Sequence, residues 1–260
     1  RALFAAVLGQ RHAGSSSGIG AATAVLLASK GAKVTVHGRR PEKVAAIAQQ
    51  CKEASPDKFD AFTVLGNIED ANVRTQLVQG TLKTFGRIDG LVNNAGWASI
   101  GDWKKNDLKD MQVMLDVHVL APYDLARQVM PQLIENKGSI VMVSSVAGMR
   151  GVPGVVAYVT AKHAMEGMMK ALATETASLG VRVNSVNPGM IDTEIRRYEE
   201  VKEFEAQNIP LDRTHPNGRL GQPSEVAQCI AFLLSDNASM VTGIEMPVDG
   251  GLTSAILWQR

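Results

Sequence analysis

Cysteine and net charge are both scarce in this sequence, and each shortage excludes classes of protein. Cys51 and Cys229 are its two cysteines, which excludes a disulfide framework and leaves too few thiolates for a cysteine-only zinc site. They fit a reducing compartment, so we expect a cytoplasmic protein. Lys and Arg number 27 against 26 Asp and Glu. The chain therefore lacks the strongly basic character that binding to nucleic acid or an anionic membrane requires, and we expect neither partner.

Long apolar segments are lacking too. The run Ala2–Leu8 is among the longest, far short of the roughly 20 residues of a membrane helix. The chain starts at Arg1 with no pattern of a secretory signal, so we expect a processed or truncated N-terminus. A hydrophobic fraction of 45% with 20% charged residues predicts a sizeable core and excludes a disordered chain.

Short β-branched segments alternate with longer segments of helical period. The predicted strands are 34–36, 62–65, 88–92, 139–143 and 181–186, and the predicted helices are 18–29, 41–54, 70–85, 107–135, 157–179 and 223–235. The strands are apolar on both faces, as in a covered parallel sheet. We therefore predict a single α/β domain over 1–260, a doubly wound (Rossmann-type) parallel sheet with helices on both faces. The polar segment 190–219 is predicted to be a substrate loop.

A glycine-rich turn opens the first predicted helix. Its residues, Gly14-Ser-Ser-Ser-Gly18-Ile-Gly20, allow the backbone to approach a diphosphate at a helix N-terminus. We expect Gly14, Ser16, Ser17, Gly18, Ile19 and Gly20 to bind a dinucleotide; the alternative is an ordinary helix cap. The polar approach Gln10–His12 does not fit a central strand. Either the first strand is displaced into the earlier apolar run or the N-terminus is irregular.

Two arginines follow the second predicted strand. Arg39 comes nineteen residues after Gly20 and Arg40 is next, where an acidic residue would favour NAD. A guanidinium instead suits the 2′-phosphate of NADP. We expect Arg39 and Arg40 to bind NADP (as NADPH); the alternative is two solvated arginines before a helix.

Tyr158 and Lys162 are four residues apart in a helical segment and therefore share one face. A cation that close is expected to lower the pKa of the tyrosine towards neutrality, which makes Tyr158 a candidate general acid and base. Ser145 lies at the end of the fifth predicted strand, at the sheet edge where ligands bind; the alternative is a simple strand-end cap. The histidines show no metal-ligand spacing, so no metal is expected.

Together these motifs resemble the short-chain dehydrogenase/reductase family. The resemblance runs from Gly14 to Gly251 and is carried by six motifs in order: Gly14-x-x-x-Gly18-x-Gly20, Asn93-Asn94-Ala95-Gly96, Ser145, Tyr158-x-x-x-Lys162, Asn187-Pro188-Gly189 with Thr193, and Val248-Asp249-Gly250-Gly251. It implies that Ser145 orients the substrate oxygen, Tyr158 transfers the proton and Lys162 holds the nicotinamide ribose. It also implies a homotetramer that pairs through the segments 107–135 and 157–179.

The resemblance also assigns cofactor contacts. It places Asn94, Ala95 and Gly96 against the adenine ribose, and Asn67 and Ile68 beside the adenine, where the family usually has Asp before an apolar residue. Pro188, Gly189, Ile191 and Thr193 would meet the nicotinamide.

His118 departs from the family pattern, which usually has an asparagine whose backbone carbonyl holds a relay water. Pro122 lacks the N–H that would bond the carbonyl of residue 118 in an α-helix, so that carbonyl is expected to stay available. We include His118 among the catalytic candidates, as a ring that titrates near neutrality. The alternative is a hydrogen-bonded core histidine. On either view, His118→Asn is expected to keep or raise turnover.

The sequence thus predicts an NADP-dependent oxidoreductase that interconverts a small-molecule carbonyl and a secondary alcohol. The apolar residues Val146, Met149, Val152 and Met190 near the predicted crevice favour an apolar ketone. The rival hypothesis is a dinucleotide-binding scaffold or sensor with weakened chemistry. An isomerase or dehydratase on the same fold is a third possibility.

Overall fold

The computed structural model describes residues 2–6, 18–101, 103–193 and 215–255, with only the backbone for residues 2–6. Gly14, Ser16, Ser17 and the part 194–214 of the predicted substrate loop 190–219 lie outside the described residues. Within the described part of the chain, no helix is both long enough and apolar enough to cross a membrane.

Seven strands and seven α-helices alternate along the described chain. The strands are β1 (Ala2–Ala6), β2 (Lys33–Gly38), β3 (Phe62–Leu65), β4 (Gly90–Asn93), β5 (Ser139–Val143), β6 (Arg182–Pro188) and β7 (Glu245–Val248). The helices are α1 (Ile19–Ser29), α2 (Pro41–Ala54), α3 (Ala71–Phe85), α4 (Leu108–Leu115), α5 (Ala121–Asn136), α6 (Val156–Thr176) and α7 (Pro223–Leu234). Helices α2 and α7 begin at a proline, whose fixed φ suits the first helical position.

The strands form one parallel sheet in the order β3-β2-β1-β4-β5-β6-β7. Strand β1 is central and lies in the apolar run, with Phe4 opposite Thr35 of β2 and Leu91 of β4. Of the two alternatives, the first is therefore confirmed: the first strand is displaced into the earlier apolar run. The strand order reverses between β1 and β4, and open α/β sheets bind ligands at the carboxyl ends of the strands beside such a reversal.

Helices cover both faces of the sheet, and β5 shows how. Ile140 and Met142 pack into the core under α3, α5 and α6, whereas Val141 and Val143 pack under α1, α2 and α7. Successive side chains of a strand point to opposite faces. Because both faces are covered, β5 is apolar at nearly every position, which confirms the doubly wound architecture.

The predicted helix 107–135 is not continuous. A π-helical turn, Asp116–Leu120, separates α4 from α5, and the N–H of Ala121 bonds the carbonyl of Asp116 five residues back. Pro122 follows directly; it has no N–H to donate to the carbonyl of His118, so regular α-helical bonding fails at this point. The turn carries His118 inward, where its side chain is 1% exposed.

Candidate active site

The carboxyl ends of β4, β5 and β6 bring most of the predicted site together. Asn94 follows β4, Ser145 follows β5, and Pro188 ends β6. Helix α6 packs along β6 and the 3₁₀ turn Val146–Gly148, and it carries Tyr158 and Lys162 on successive turns.

The side chain of Ser145 caps the turn that follows β5. Its Oγ accepts a hydrogen bond from the N–H of Ala147 at 3.1 Å, which caps the 3₁₀ turn. It also lies near the hydroxyl of Tyr158 and lowers the pKa of that phenol in part. Ser145 is thus the strand-end cap that was one of the two alternatives, and the cap holds its side chain beside Tyr158.

The pKa of Tyr158 differs from the expectation. Burial raises it to about 12, and the neighbouring Ser145 side chain lowers it only in part. The expected lowering by Lys162 is therefore wrong for the chain alone, because burial outweighs any stabilisation of the phenolate. Tyr158 is a protonated phenol at neutral pH.

The burial of Lys162 explains why this lysine does not lower the pKa of Tyr158. Its side chain is 3% exposed, and burial lowers its pKa to about 7 while the charge of Glu166 raises it in part. Nζ donates to the carbonyl of Val143 at 2.9 Å and lies 5.5 Å from the centre of the Tyr158 ring. Burial therefore weakens the hold of Lys162 on its proton, and Glu166 offsets part of that loss.

His118 lies against Tyr158, edge to face, with the ring centres 5.3 Å apart. Its Nε2 donates to the carbonyl of Trp97 at 2.8 Å, and Nδ1 has no partner among the described residues. Burial and the charge of Lys162 hold the pKa of the ring well below its usual value. The ring is therefore neutral, and the expectation that it titrates near neutrality is wrong. Its geometry is that of the hydrogen-bonded core histidine; a proton-relay role for its side chain stays a prediction.

The segment after β4 packs closely against the imidazole ring of His118. Gly96 has φ +154°, and a Cβ there would lie 1.9 Å from Cε1 of His118. Ala95 is buried beside it. The glycine of the Asn94-Ala95-Gly96 motif is therefore required both by its backbone conformation and by the histidine beneath it.

The N-terminus of α1 fits a dinucleotide phosphate. Gly18 stands at the cap position with φ +126° and supplies no side-chain oxygen to the first-turn N–H groups, an arrangement that favours an anion. A Cβ on Gly18 would lie 3.6 Å from Cγ2 of Thr193. The start of α1, with Ile19 and Gly20, is thus next to the segment predicted to meet the nicotinamide.

The arginines lie where the adenine end would be. Arg39 follows β2 and Arg40 is the N-cap residue of α2, both half-buried. His37, the last side chain of β2, binds the carbonyl of Gly66 through Nε2 at 2.9 Å. This bond ties β2 to the segment after β3, where Asn67 is exposed and Ile68 packs into the core.

A histidine to which the sequence analysis assigns no role anchors the segment predicted to meet the nicotinamide. Nε2 of His215 accepts from the N–H of Met190 at 2.8 Å, and Nδ1 donates to the carbonyl of Arg219 at 2.9 Å. Ile191 pairs with Gly221. The backbone around Met190 and Ile191 is therefore held by residues that follow the segment 194–214, a contact that sequence spacing cannot reveal.

Known proteins resemble this chain over nearly its whole length. The family model described as Enoyl-(Acyl carrier protein) reductase matches residues 13–253. The 3-oxoacyl-[acyl-carrier-protein] reductase FabG of Thermotoga maritima is 37% identical over 242 residues, which are 92% of this chain and 95% of that protein. Cyclohexanol dehydrogenase of Acinetobacter sp. (strain SE19) is 36% identical over 93% of each chain. The crystal structure of levodione reductase superposes with a TM-score of 0.89 at 29% identity and covers 98% of each chain.

The fold and the site thus define a Rossmann-type oxidoreductase. The chain belongs to the short-chain dehydrogenase/reductase family, whose members bind a nicotinamide dinucleotide.

Proposed function

We propose that the protein is an NADP-dependent oxidoreductase that interconverts an apolar ketone and a secondary alcohol. The observation that carries this proposal is the grouping of Ser145, Tyr158 and Lys162, with Nζ of Lys162 5.5 Å from the centre of the Tyr158 ring. Two hydroxyls held together at the ligand-binding edge of the sheet can both reach one substrate oxygen.

The side chains divide the work as follows. In ketone reduction, the Tyr158 hydroxyl donates its proton to the carbonyl oxygen, and Ser145 donates a hydrogen bond to the same oxygen. Bound NADPH supplies the hydride. In alcohol oxidation, Tyr158 accepts the hydroxyl proton. Because the pKa of Tyr158 is raised to about 12, its hydroxyl carries the proton that ketone reduction needs at neutral pH.

The preference for NADP is supported by Arg39 and Arg40. Both follow β2 at the adenine end of the expected site, and a guanidinium pairs with a 2′-phosphate in a bidentate manner. We propose that the same nucleotide also contacts the other residues assigned to cofactor binding: Gly14, Ser16, Ser17, Asn67, Ile68, Asn94, Ala95, Pro188, Gly189 and Ile191.

The proposed substrate class follows from the apolar residues after β5. Val146 and Val155 are buried and Met149 and Val152 are half-buried near Ser145. Cyclohexanol dehydrogenase and levodione reductase are relatives named for cyclic compounds, whereas the Thermotoga relative is named for 3-oxoacyl carrier substrates. Cyclic and aliphatic ketones are therefore the first substrates to test, with a 3-oxoacyl thioester beside them.

Replacement of the proton donor tests the proposal. Tyr158→Phe is expected to lower kcat for NADPH-dependent ketone reduction by roughly 10²–10⁴-fold, the usual contribution of a general acid. Tyr123→Phe, at a half-exposed tyrosine of α5, is the matched control and should leave kcat unchanged. Nucleotide binding without turnover on any ketone would instead favour the scaffold or sensor.

We also propose that the protein is a cytoplasmic homotetramer. Leu120 and Tyr123, near the start of α5, and Val156, at the start of α6, are about half exposed. Leu120 and Tyr123 lie in the segment 107–135, and Val156 directly precedes the segment 157–179, the two segments expected to pair between subunits.

A further inference from the structure

A buried carboxylate lies behind the catalytic residues. Glu166 is 3% exposed and sits on α6, one turn beyond Lys162. Its Oε2 accepts from the Ser185 hydroxyl at 2.7 Å, and its Oε1 accepts from Nδ2 of Asn187 at 2.6 Å. A carboxylate buried in this way is costly unless it is hydrogen-bonded, and here both oxygens are.

This carboxylate is connected to two residues of the proposed mechanism. Nδ2 of Asn187 donates to the carbonyl of Ser145 at 3.2 Å as well as to Glu166, so one amide joins the carboxylate to the backbone of the substrate-orienting serine. The negative charge of Glu166 also acts on Lys162, whose ammonium is otherwise destabilised by burial.

We propose that Glu166 is a positioning residue that keeps Lys162 protonated during proton transfer and fixes Ser145 through Asn187. The inference deepens the proposed function and rests on it for the roles of Ser145 and Lys162. The carboxylate itself touches none of the reacting atoms.

Among the described side chains that surround this site, Glu166 is the anion that acts on Lys162. Strand β6 contributes the neutral side chains Ser185 and Asn187, and the 3₁₀ turn Val146–Gly148 packs against Glu166 through Gly148. The π-helical turn presents neutral His118. On α6, Lys170 forms its ion pair with Glu245, which raises the pKa of Lys170 more than the charge of Glu166 does.

Glu166→Gln removes the charge with little change of shape. Its amide oxygen can still accept from Asn187, and its amide nitrogen can donate to the Ser185 oxygen. Glu175→Gln is the matched control, since Glu175 is an exposed glutamate on the same helix. Glu166→Met is a second charge-removing variant that does not depend on the amide being accommodated.

The first readout is the titration of Lys162 in the folded protein, followed by NMR of labelled lysine and assigned with Lys162→Arg. We expect Glu166→Gln to lower the midpoint by at least about half a pH unit, roughly threefold in proton affinity. Glu175→Gln should leave it unchanged. An unchanged midpoint in a folded Glu166→Gln or Glu166→Met variant would overturn the inference.

The second readout is the pH profile of alcohol oxidation. Loss of the charge should move the alkaline decline of kcat to lower pH, because Lys162 then loses its proton sooner, and should leave KM within about twofold. A uniform loss of kcat at every pH indicates a merely structural role and contradicts the inference. If the wild-type protein reduces no ketone, the proposed function fails, and the NMR titration still decides whether Glu166 holds the proton on Lys162.

Discussion

At the scale of single residues, His118 determines how closely the segment after β4 packs against the π-helical turn. Its ring donates to Trp97 and fills the space over Gly96. His118→Asn is expected to keep or raise turnover, because the backbone carbonyl available to a relay water is unchanged. The smaller side chain should lower the free energy of unfolding by about 1–3 kcal/mol. Steady-state kinetics and chemical denaturation measure the two effects.

A double-mutant cycle gives the control. Gly96→Ala should be costly in both backgrounds because of its positive φ, but less costly once His118 is replaced and the clash at 1.9 Å is gone. Complete loss of activity in folded His118→Asn would show that the imidazole itself takes part in the reaction.

Sequence spacing reaches some of these residues and misses others for a physical reason. Tyr158 and Lys162 are one helical turn apart, and Ser145 ends a strand, so local periodicity places all three at the site. The protonation states of these residues do not follow from their spacing. The pKa values of Tyr158 and Lys162 are set by burial, which depends on residues distant in the chain, and the pairing of Glu166 with Asn187 needs the packing of α6 on β6.

At the scale of elements, the break between α4 and α5 shows the same limit. Periodicity alone merges the two helices into one, although Pro122 marks the position at which α-helical bonding fails. The π-helical turn both lowers His118 into the site and leaves Leu120 53% exposed. One local irregularity therefore shapes the catalytic face and the outer face of this region.

The outer face yields a prediction about assembly. Leu120→Glu places a charge in the proposed contact between subunits and is expected to reduce the tetramer, about four times 27.8 kDa, to smaller species. Leu65→Glu, at a similarly exposed leucine of β3 that lies outside both segments, should leave the mass unchanged. Light scattering measures both, and a wild-type monomer would show the proposed tetramer to be wrong.

At the scale of the whole molecule, the doubly wound sheet is largely readable from the sequence. Alternating apolar strands and amphipathic helices predict it, and the structure confirms the strands at 34–36, 62–65 and 139–143 within β2, β3 and β5. The place of β1 could not be decided in advance. Its residues are apolar in any arrangement, and pairing with β2 and β4 determines which of them form the strand.

The sheet also positions the two ends of the proposed nucleotide site relative to each other. Arg39 and Arg40, after β2, lie at one end, and Tyr158 lies at the other. The most direct test of a working NADP site is therefore a titration of the purified protein with NADPH and NADH, repeated with Arg39→Asp. NADPH should bind at least about tenfold more tightly than NADH, and Arg39→Asp should reverse the preference because a carboxylate repels the 2′-phosphate and accepts from a ribose hydroxyl. Lys83→Asp, an equal charge change on the exposed face of α3, should preserve the preference for NADPH. Equal affinity for the two nucleotides, or binding of neither, would contradict an NADP-dependent enzyme.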